Sequence, residues 1–292
     1  MGKTTVTAAL ARMAALAGMT TLIVELEGKS GLATMFGHDA ALTYEEVVLS
    51  KGGGRRAAAD IRARTLTPDD ALVEYLEDHG MRRLSKRLMS SGAIDVVATA
   101  APGIKDILVL GKVKALERSG HADLILVDAP AAGHAVTFLT SARGLLDAVT
   151  VGPIRTQAQE VMELLTDADR SQVLLVTLPE ETPVNEVVET AFKLEDRVGV
   201  SLAPLVVNGV YPKLEGLDGV PPNLDAAAAA ALRDAAAFRT ERQALQAEQV
   251  SRLAEALPLP QLELPFLFTT DIGPAEIDVL ADALADAVAK LP

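Results

Sequence analysis

The N-terminal run Gly2-Lys3-Thr4-Thr5 combines residue types that bind phosphate. In the loop pattern G-x-x-x-x-G-K-[ST], backbone N–H groups and a helix N-terminus bind the phosphates, while the lysine reaches the β/γ-phosphates and the hydroxyl binds Mg²⁺. This sequence contains only the second half of the pattern, because neither a strand nor a glycine-rich turn precedes Gly2. The run therefore predicts either a nucleotide site with an incomplete loop or a coincidence.

Polar side chains also follow several predicted buried strands, at the edge where parallel α/β sheets bind ligands. Asp128 closes an apolar strand and is either a magnesium-side carboxylate or a structural cap. Glu27 is either a carboxylate that orients an attacking water or a solvated loop acid, and Glu25 is an alternative inward-facing group. Asn208 has the donors and acceptor that suit the two-sided edge of adenine, although a turn-forming asparagine is equally consistent with the pattern.

The loop that follows Asp128 consists mainly of small residues, Ala-Pro-Ala-Ala-Gly-His at 129–134. Such a loop can approach and move around a γ-phosphate, which makes Gly133 and His134 site candidates. No two of the four histidines are spaced i, i+4 and the chain contains no cysteine. Metal ligation by histidine is therefore not expected.

The elements that would position these residues alternate along the chain. Apolar periodicity predicts a first helix at 3–18, and nearly continuous apolar runs predict strands that are buried on both faces. The predicted strands are 20–24, 122–127, 173–178, 202–207 and 262–264. Helices between most of these strands predict an α/β fold with a doubly wound, mostly parallel sheet, in a single domain that covers residues 1–292.

Two other parts of the chain depart from this alternation. Residues 43–120 are predicted to be a helical insertion between two sheet strands, with a short strand at 60–64. Its apolar stretches at 93–100 and 107–116 are interpreted as subdomain core in preference to a client-binding groove. A long alanine-rich helix is predicted at 225–257, capped by Asn223 or Asp225. Its arginines lie among acidic residues, a pattern typical of a solvated face.

Composition excludes several classes of function. The 292-residue chain has a net charge of −13, which disfavours binding to nucleic acid or to anionic lipid. Without cysteine it has no disulfides, iron–sulfur clusters or thiolate zinc sites, and a cytoplasmic location is expected. No apolar run is long enough to cross a membrane, so stable membrane insertion is not expected.

With these motifs in order, the chain resembles the ArsA family of P-loop ATPases, within the deviant P-loop group that also contains MinD and ParA. Gly2 to Ala11 resembles the end of the family's phosphate loop and first helix, KGGVGKTTVAAALA. Val24 to Phe36 resembles its first switch, and Asp128 to His134 resembles its second switch, DTAPTGH. Three shorter segments also match: Ala101 to Asp106 resembles PGIDE, Val176 to Glu180 resembles VTIPE, and Val206 to Val210 resembles VVNRV. The acidic first switch is most similar to the actinobacterial branch of this family.

The resemblance implies that the chain binds ATP and Mg²⁺ and hydrolyses ATP. It implies that Lys3 contacts the β/γ-phosphates, that Thr5 contacts the α-phosphate and that Gly133 senses the γ-phosphate. Thr4 would bind Mg²⁺ directly and Asp128 would bind it through water. Glu27 would orient the attacking water, and Asn208 would recognise adenine. It also implies a dimer, formed with a second copy or with a sister ATPase, that closes on ATP and reopens after hydrolysis. This cycle would drive a partner or a hydrophobic client, as in membrane-protein targeting.

An alternative function is that of a partner subunit which binds nucleotide poorly and does not hydrolyse it. The incomplete loop motivates this alternative, as does Glu27, whose side chain is one methylene longer than the aspartate of the family. The chain as given is therefore expected to bind ATP weakly and to hydrolyse it poorly or not at all. A longer form with the complete loop is expected to be an ATPase.

Overall fold

A four-stranded sheet forms one half of the fold. The computed structural model describes residues 2–26, 31–53, 58–78, 80–83, 103–217, 219 and 221–291. The strands of this sheet are β1 (Thr21–Glu25), β2 (Val47–Ser50), β3 (Ile61–Thr65) and β4 (Leu124–Asp128). They lie in the order β2-β3-β1-β4. β1 pairs in parallel with β3 and β4, and β2 pairs antiparallel with β3. β1 is buried along its whole length, as its apolar run predicts.

The other half of the fold is a smaller parallel layer. Its strands are β5 (Gln172–Val173), β6 (Val176–Thr177), β7 (Ser201–Leu202), β8 (Leu205–Val210) and β9 (Gln261–Pro265). β5 pairs with β7, while β8 pairs with both β6 and β9, all in parallel. The N–H of Ala203 bonds to the carbonyl of Val173 over 3.0 Å, and the N–H of Val206 bonds to that of Leu175 over 2.9 Å. These bonds join the short pairs into one layer, so the predicted α/β class with mostly parallel strands is confirmed.

Helices alternate with these strands. The helices are α1 (Lys3–Leu16), α2 (Leu32–Met35), α3 (Pro68–Asp78), α4 (Ile104–Ser119), α5 (Ala132–Ala148), α6 (Pro153–Thr166), α7 (Glu181–Arg197), α8 (Ala226–Ala256) and α9 (Pro274–Val288). The order of strands and helices agrees with a doubly wound α/β fold. α8 occupies the range in which the alanine-rich sequence predicts a long helix.

α1 belongs to both halves of the core. Ala8, Ala11 and Ala15 pack in a cluster that contains buried residues of β1, β2 and β3. Val6 and Ala9 pack in a second cluster, with residues of β8, β9 and α9. The small side chains of this helix allow close approach on two sides, so packing on both sides positions the residues at the N-terminus of α1.

The range predicted as a helical insertion contains sheet strands as well as helices. β3 lies where a short strand is predicted at 60–64 and pairs directly with β1, whereas β2 was not predicted. The helical part begins with α3 and ends with α4, which pack against each other. The stretch at 93–100 lies outside the described residues, and the division of the chain into one domain with an insertion stays a prediction.

Candidate functional site

The N-terminus of α1 is the first component of the candidate site. Gly2 precedes the helix with a φ of +81°, in the left-handed region that favours glycine. A Cβ atom added to Gly2 would lie only 2.3 Å from Nδ2 of Asn208. Both the backbone conformation and the neighbouring side chain therefore require glycine here, and two predicted site residues from distant parts of the chain lie in contact.

The first turn of α1 also meets the end of β4. The hydroxyl of Thr4 donates a hydrogen bond of 2.7 Å to Oδ2 of Asp128, whose side chain is buried at the last position of the strand. Lys3 and Thr5 flank Thr4 in the same helical turn and are partly exposed. The structure thus brings together the two residues that the sequence predicts as magnesium ligands.

Thr4 and Asp128 have the chemistry that a magnesium ion requires. Both present oxygen atoms, which are the ligands that Mg²⁺ prefers, and Mg²⁺ commonly completes its shell with water and substrate phosphates. Among the described residues there is no group of three or more histidines, cysteines or acidic residues that could hold a metal ion by itself. The two residues therefore fit an ion that arrives together with a phosphate ligand.

A second carboxylate lies beside Asp128 in the sheet. Glu25 ends β1, pairs in register with Asp128 on one side and with Thr65 on the other, and is only 4% exposed. Oε2 of Glu25 accepts a hydrogen bond of 2.9 Å from the hydroxyl of Thr65. Glu25 is thus a buried acid, whereas Glu27, the predicted water-orienting residue, lies outside the described residues.

The small-residue loop after Asp128 leads into the start of α5. Gly133 and His134 are exposed in the first turn of that helix, and a Cβ atom added to Gly133 would meet no atom within 4 Å. Backbone N–H groups at a helix N-terminus favour anions. The role of Gly133 beside a phosphate stays a prediction.

Asn208 lies within β8 and not after it, which corrects the predicted end of the strand. The pairing of β8 with β9 shifts in register between Val207 and Val210, and Gly209 adopts a φ of +77°. A bulge of this kind bends the strand and redirects its side chains. The asparagine–glycine pair, which also suits a turn, here forms an irregularity inside a strand, and the side chain of Asn208 lies against Gly2.

The long helix α8 contributes residues to this region that the sequence did not indicate. Gln246 is buried, and its amide bonds to the backbone of Gly209 and Tyr211. Arg239 stacks on the ring of Tyr211 at 4.8 Å, and Arg242 forms an ion pair with Glu180. The interpretation of the α8 arginines as a solvated face is therefore wrong for these two. A glutamine in an alanine-rich helix has no sequence signal that marks it as buried.

Comparison with known proteins identifies the family of the chain. Residues 1–150 match the family model described as anion-transporting ATPase. The chain belongs to the ArsA family of anion-transporting ATPases. The resemblance drawn from the motifs is thereby confirmed, and membership supports nucleotide binding and ATPase activity in general.

Two curated relatives illustrate the relationship. The chain is similar to the ATPase BagA of Mycobacterium tuberculosis, with 32% identity over 72% of this chain and 62% of that protein. It is also similar to the arsenical pump-driving ATPase of Escherichia coli, with 26% identity over 74% of this chain and 38% of that protein. The chain thus spans less than two thirds of the length of each relative. Within the described residues, no helix combines the length and the apolar character needed to span a membrane.

Proposed function

We propose that this site binds Mg²⁺–ATP and hydrolyses it to ADP and phosphate. The observation that carries the proposal is the contact of Thr4 with Asp128, which joins the first turn of α1 to the end of β4. A hydroxyl and a carboxylate at this distance, beside a helix N-terminus, suit a metal-bound phosphate. Family membership supports the same reaction.

The proposed roles follow the path of the nucleotide. Lys3 binds the β/γ-phosphates, Thr5 binds the α-phosphate, and Thr4 and Asp128 hold Mg²⁺, directly or through water. The bound ion would neutralise charge that develops on the phosphate oxygens. Gly133 lies near the γ-phosphate, where its lack of a side chain leaves room for the terminal oxygens.

Asn208 is the proposed reader of the base. Its carboxamide offers both donors and an acceptor, which matches the adjacent amino group and ring nitrogen of adenine. Its contact with Gly2 places this amide beside the start of the phosphate-binding helix.

Glu27 is the proposed water-orienting carboxylate. Removal of such a group typically slows turnover about 10²- to 10⁴-fold, whereas affinity for ATP changes little because the ground state does not use the contact. Glu25 already accepts a bond from Thr65 within the sheet, which favours a structural role for that acid.

The experiment that tests the proposal measures Mg²⁺–ATP binding by calorimetry and phosphate release by a coupled assay. We expect this chain to bind ATP weakly in a Mg²⁺-dependent manner and to release little phosphate. A form with the complete G-x-x-x-x-G-K-[ST] loop is expected to bind ATP and to release phosphate, and the variants are made in that form. Glu27→Gln is expected to lower the rate of release at least about 100-fold, with ATP affinity retained, and Glu25→Gln serves as the matched control. Absence of Mg²⁺-dependent ATP binding would overturn the proposal.

A second candidate function is that of a partner subunit that binds nucleotide poorly and does not hydrolyse it. The observation that favours it is glutamate at position 27, whose side chain is one methylene longer than the family aspartate. In the form with the complete loop, absence of phosphate release, with release restored by Glu27→Asp, would support this function. Phosphate release by that form with Glu27 intact would rule it out.

At the level of the cell, we propose a cytoplasmic protein that acts as a dimer with itself or with a sister ATPase. Closure on ATP and opening after hydrolysis would drive a partner or a hydrophobic client. The charge of −13 makes nucleic acid an unsuitable partner. Mass measurement in solution with and without Mg²⁺–ATP tests the dimer.

A further inference from the structure

The bulge in β8 leaves its backbone groups outside the regular ladder. Val207 pairs with Glu263 and Val210 pairs with Pro265, so Asn208 and Gly209 fall between the two registers. Backbone N–H and C=O groups that leave a ladder need other partners, because unpaired ones are unfavourable away from water. The conformation of Asn208 therefore depends on whatever satisfies the groups around it.

Gln246 of α8 supplies two such partners, one at Gly209 within the bulge and one at Tyr211 after it. Its Oε1 accepts a hydrogen bond of 2.8 Å from the N–H of Tyr211, and its Nε2 donates one of 3.1 Å to the carbonyl of Gly209. The side chain is only 4% exposed, so water does not compete freely for these bonds. One amide thus fixes the peptide groups that follow Asn208.

Aromatic packing holds the same segment from another side. The ring of Tyr211 lies 5.0 Å from that of Phe266 and 5.3 Å from that of Phe268, measured between centroids. The N–H of Phe266 bonds to the carbonyl of Val210 over 2.8 Å. The segment after Asn208 is therefore restrained by α8 and by the end of β9.

Small displacements of Asn208 would matter because of its contact with Gly2. Nδ2 of Asn208 would lie 2.3 Å from a Cβ atom at Gly2, so the amide occupies space beside the backbone that begins α1. A rotation of the bulge would move this amide relative to the phosphate-binding turn. Hydrogen-bond recognition of a base depends strongly on such geometry.

We infer that Gln246 is a positioning residue, which acts through the bulge to hold Asn208 in the orientation that selects adenine over guanine. This inference rests on the proposed ATP site and adds a determinant of its base specificity. It assigns to the long helix α8 an indirect role in the nucleotide site, because Gln246 itself has no contact with phosphate or metal in the proposed arrangement.

Gln243 provides a matched control on the same helix. It lies one turn before Gln246, is partly exposed, and donates a hydrogen bond of 2.9 Å to the carbonyl of Pro212, beyond the bulge. Gln243→Met and Gln246→Met make the same chemical change in the same helix. Only Gln246→Met removes hydrogen bonds to the backbone segment that follows Asn208.

The test compares dissociation constants for Mg²⁺–ATP, Mg²⁺–GTP and Mg²⁺–inorganic triphosphate by calorimetry. Gln246→Met is expected to reduce the preference for ATP over GTP about tenfold, since one well-formed hydrogen bond to the base is worth that much. Its affinity for triphosphate should stay within about twofold of wild type, because the phosphate contacts are unchanged. Gln243→Met should retain the preference.

A double-mutant cycle separates positioning from a general effect on stability. Asn208→Ala is expected to remove the base preference, and Gln246→Met added to it should change the preference no further, because coupled residues are not additive. Independent, additive losses would overturn the inference. A loss of triphosphate binding in Gln246→Met, or an equal loss of preference in Gln243→Met, would show a merely structural role and would also overturn it.

Failure of the inference is distinguishable from failure of the proposed function. If wild type prefers ATP and Gln246→Met keeps that preference, the positioning role is wrong and the ATP site stands. If wild type binds none of the three ligands, the proposed site is wrong and the positioning role falls with it.

Discussion

The metal end and the base end of the candidate site are held by different kinds of contact. At the metal end, the hydroxyl of Thr4 bonds to the buried carboxylate of Asp128. At the base end, the neutral amide of Gln246 bonds to backbone groups around Gly209. Hydrogen bonds to a charged group are roughly twice as strong as those between neutral groups. We therefore expect the metal end to determine affinity and the base end to determine selectivity.

Gly2 joins the two ends, so its replacement by alanine is expected to have the largest effect. Alanine at a φ of +81° is strained by about 1–2 kcal/mol. The added Cβ atom would also overlap Nδ2 of Asn208, at 2.3 Å, and overpacking of this kind costs about 1–3 kcal/mol. Together these terms are expected to weaken Mg²⁺–ATP binding on the order of 100-fold, as measured by calorimetry.

Gly18 is the control for this variant. It follows α1 with a φ of +91°, and a Cβ atom there would meet no atom within 4 Å. Gly18→Ala should therefore lose stability through backbone strain alone and keep its ATP affinity within about twofold. Equal ATP binding by the two variants would mean that the contact between Gly2 and Asn208 is not part of the site.

Thr4→Val is expected to have the next largest effect, because valine has a similar shape and lacks the hydroxyl. Loss of a bond to a charged group is expected to reduce Mg²⁺-dependent ATP affinity about 10- to 30-fold. Thr4→Ser keeps the hydroxyl and should bind nearly as wild type. Titrations with and without Mg²⁺ measure this, and an undiminished Mg²⁺ effect in Thr4→Val would contradict the proposed metal end.

A smaller effect is expected at Glu74, an acidic residue of α3 that contacts Lys112 of α4 and Tyr44, which precedes β2. Burial acts to raise the pKa of Glu74, but hydrogen bonds from Lys112 and Tyr44 outweigh it and leave the pKa below its ordinary value of 4.5. At acidic pH, the Glu74 carboxylate therefore binds a proton more readily in the unfolded chain than in the folded chain. Stability from this group is fully present above pH 4.5 and is lost as the pH falls through the lower, folded-state pKa.

Lys112→Met tests this contact. We expect it to lower the free energy of unfolding at pH 7 by about 1 kcal/mol or less, because the pair is partly exposed. The difference from wild type should shrink as the pH falls through the pKa of Glu74. Lys193→Met is the matched control, since Lys193 pairs with Glu189 on an exposed helix face. Urea unfolding at several pH values measures both, and a pH-independent difference would contradict the assignment.

Residues at the metal end could be predicted because their signals are local. Asp128 ends an apolar strand and Thr4 follows a glycine–lysine pair. Each of these local patterns predicts a position in the fold without reference to the residue that it contacts. The end of β8 could not be predicted in the same way. An asparagine–glycine pair suits a turn, yet pairing of Val210 with Pro265 continues the strand through a bulge.

By itself, the sequence determined the alternation of strands and helices and the identity of the residues at the strand ends, because periodicity and strand termini are short-range properties. The tertiary structure decided which of these residues meet. The contact of Gly2 with Asn208 and the hydrogen bonds from Gln246 to Gly209 and Tyr211 join positions that are distant in sequence. No local sequence pattern predicts them. They exist because α1 and α8 pack on the same parallel layer, which is a property of the assembled core.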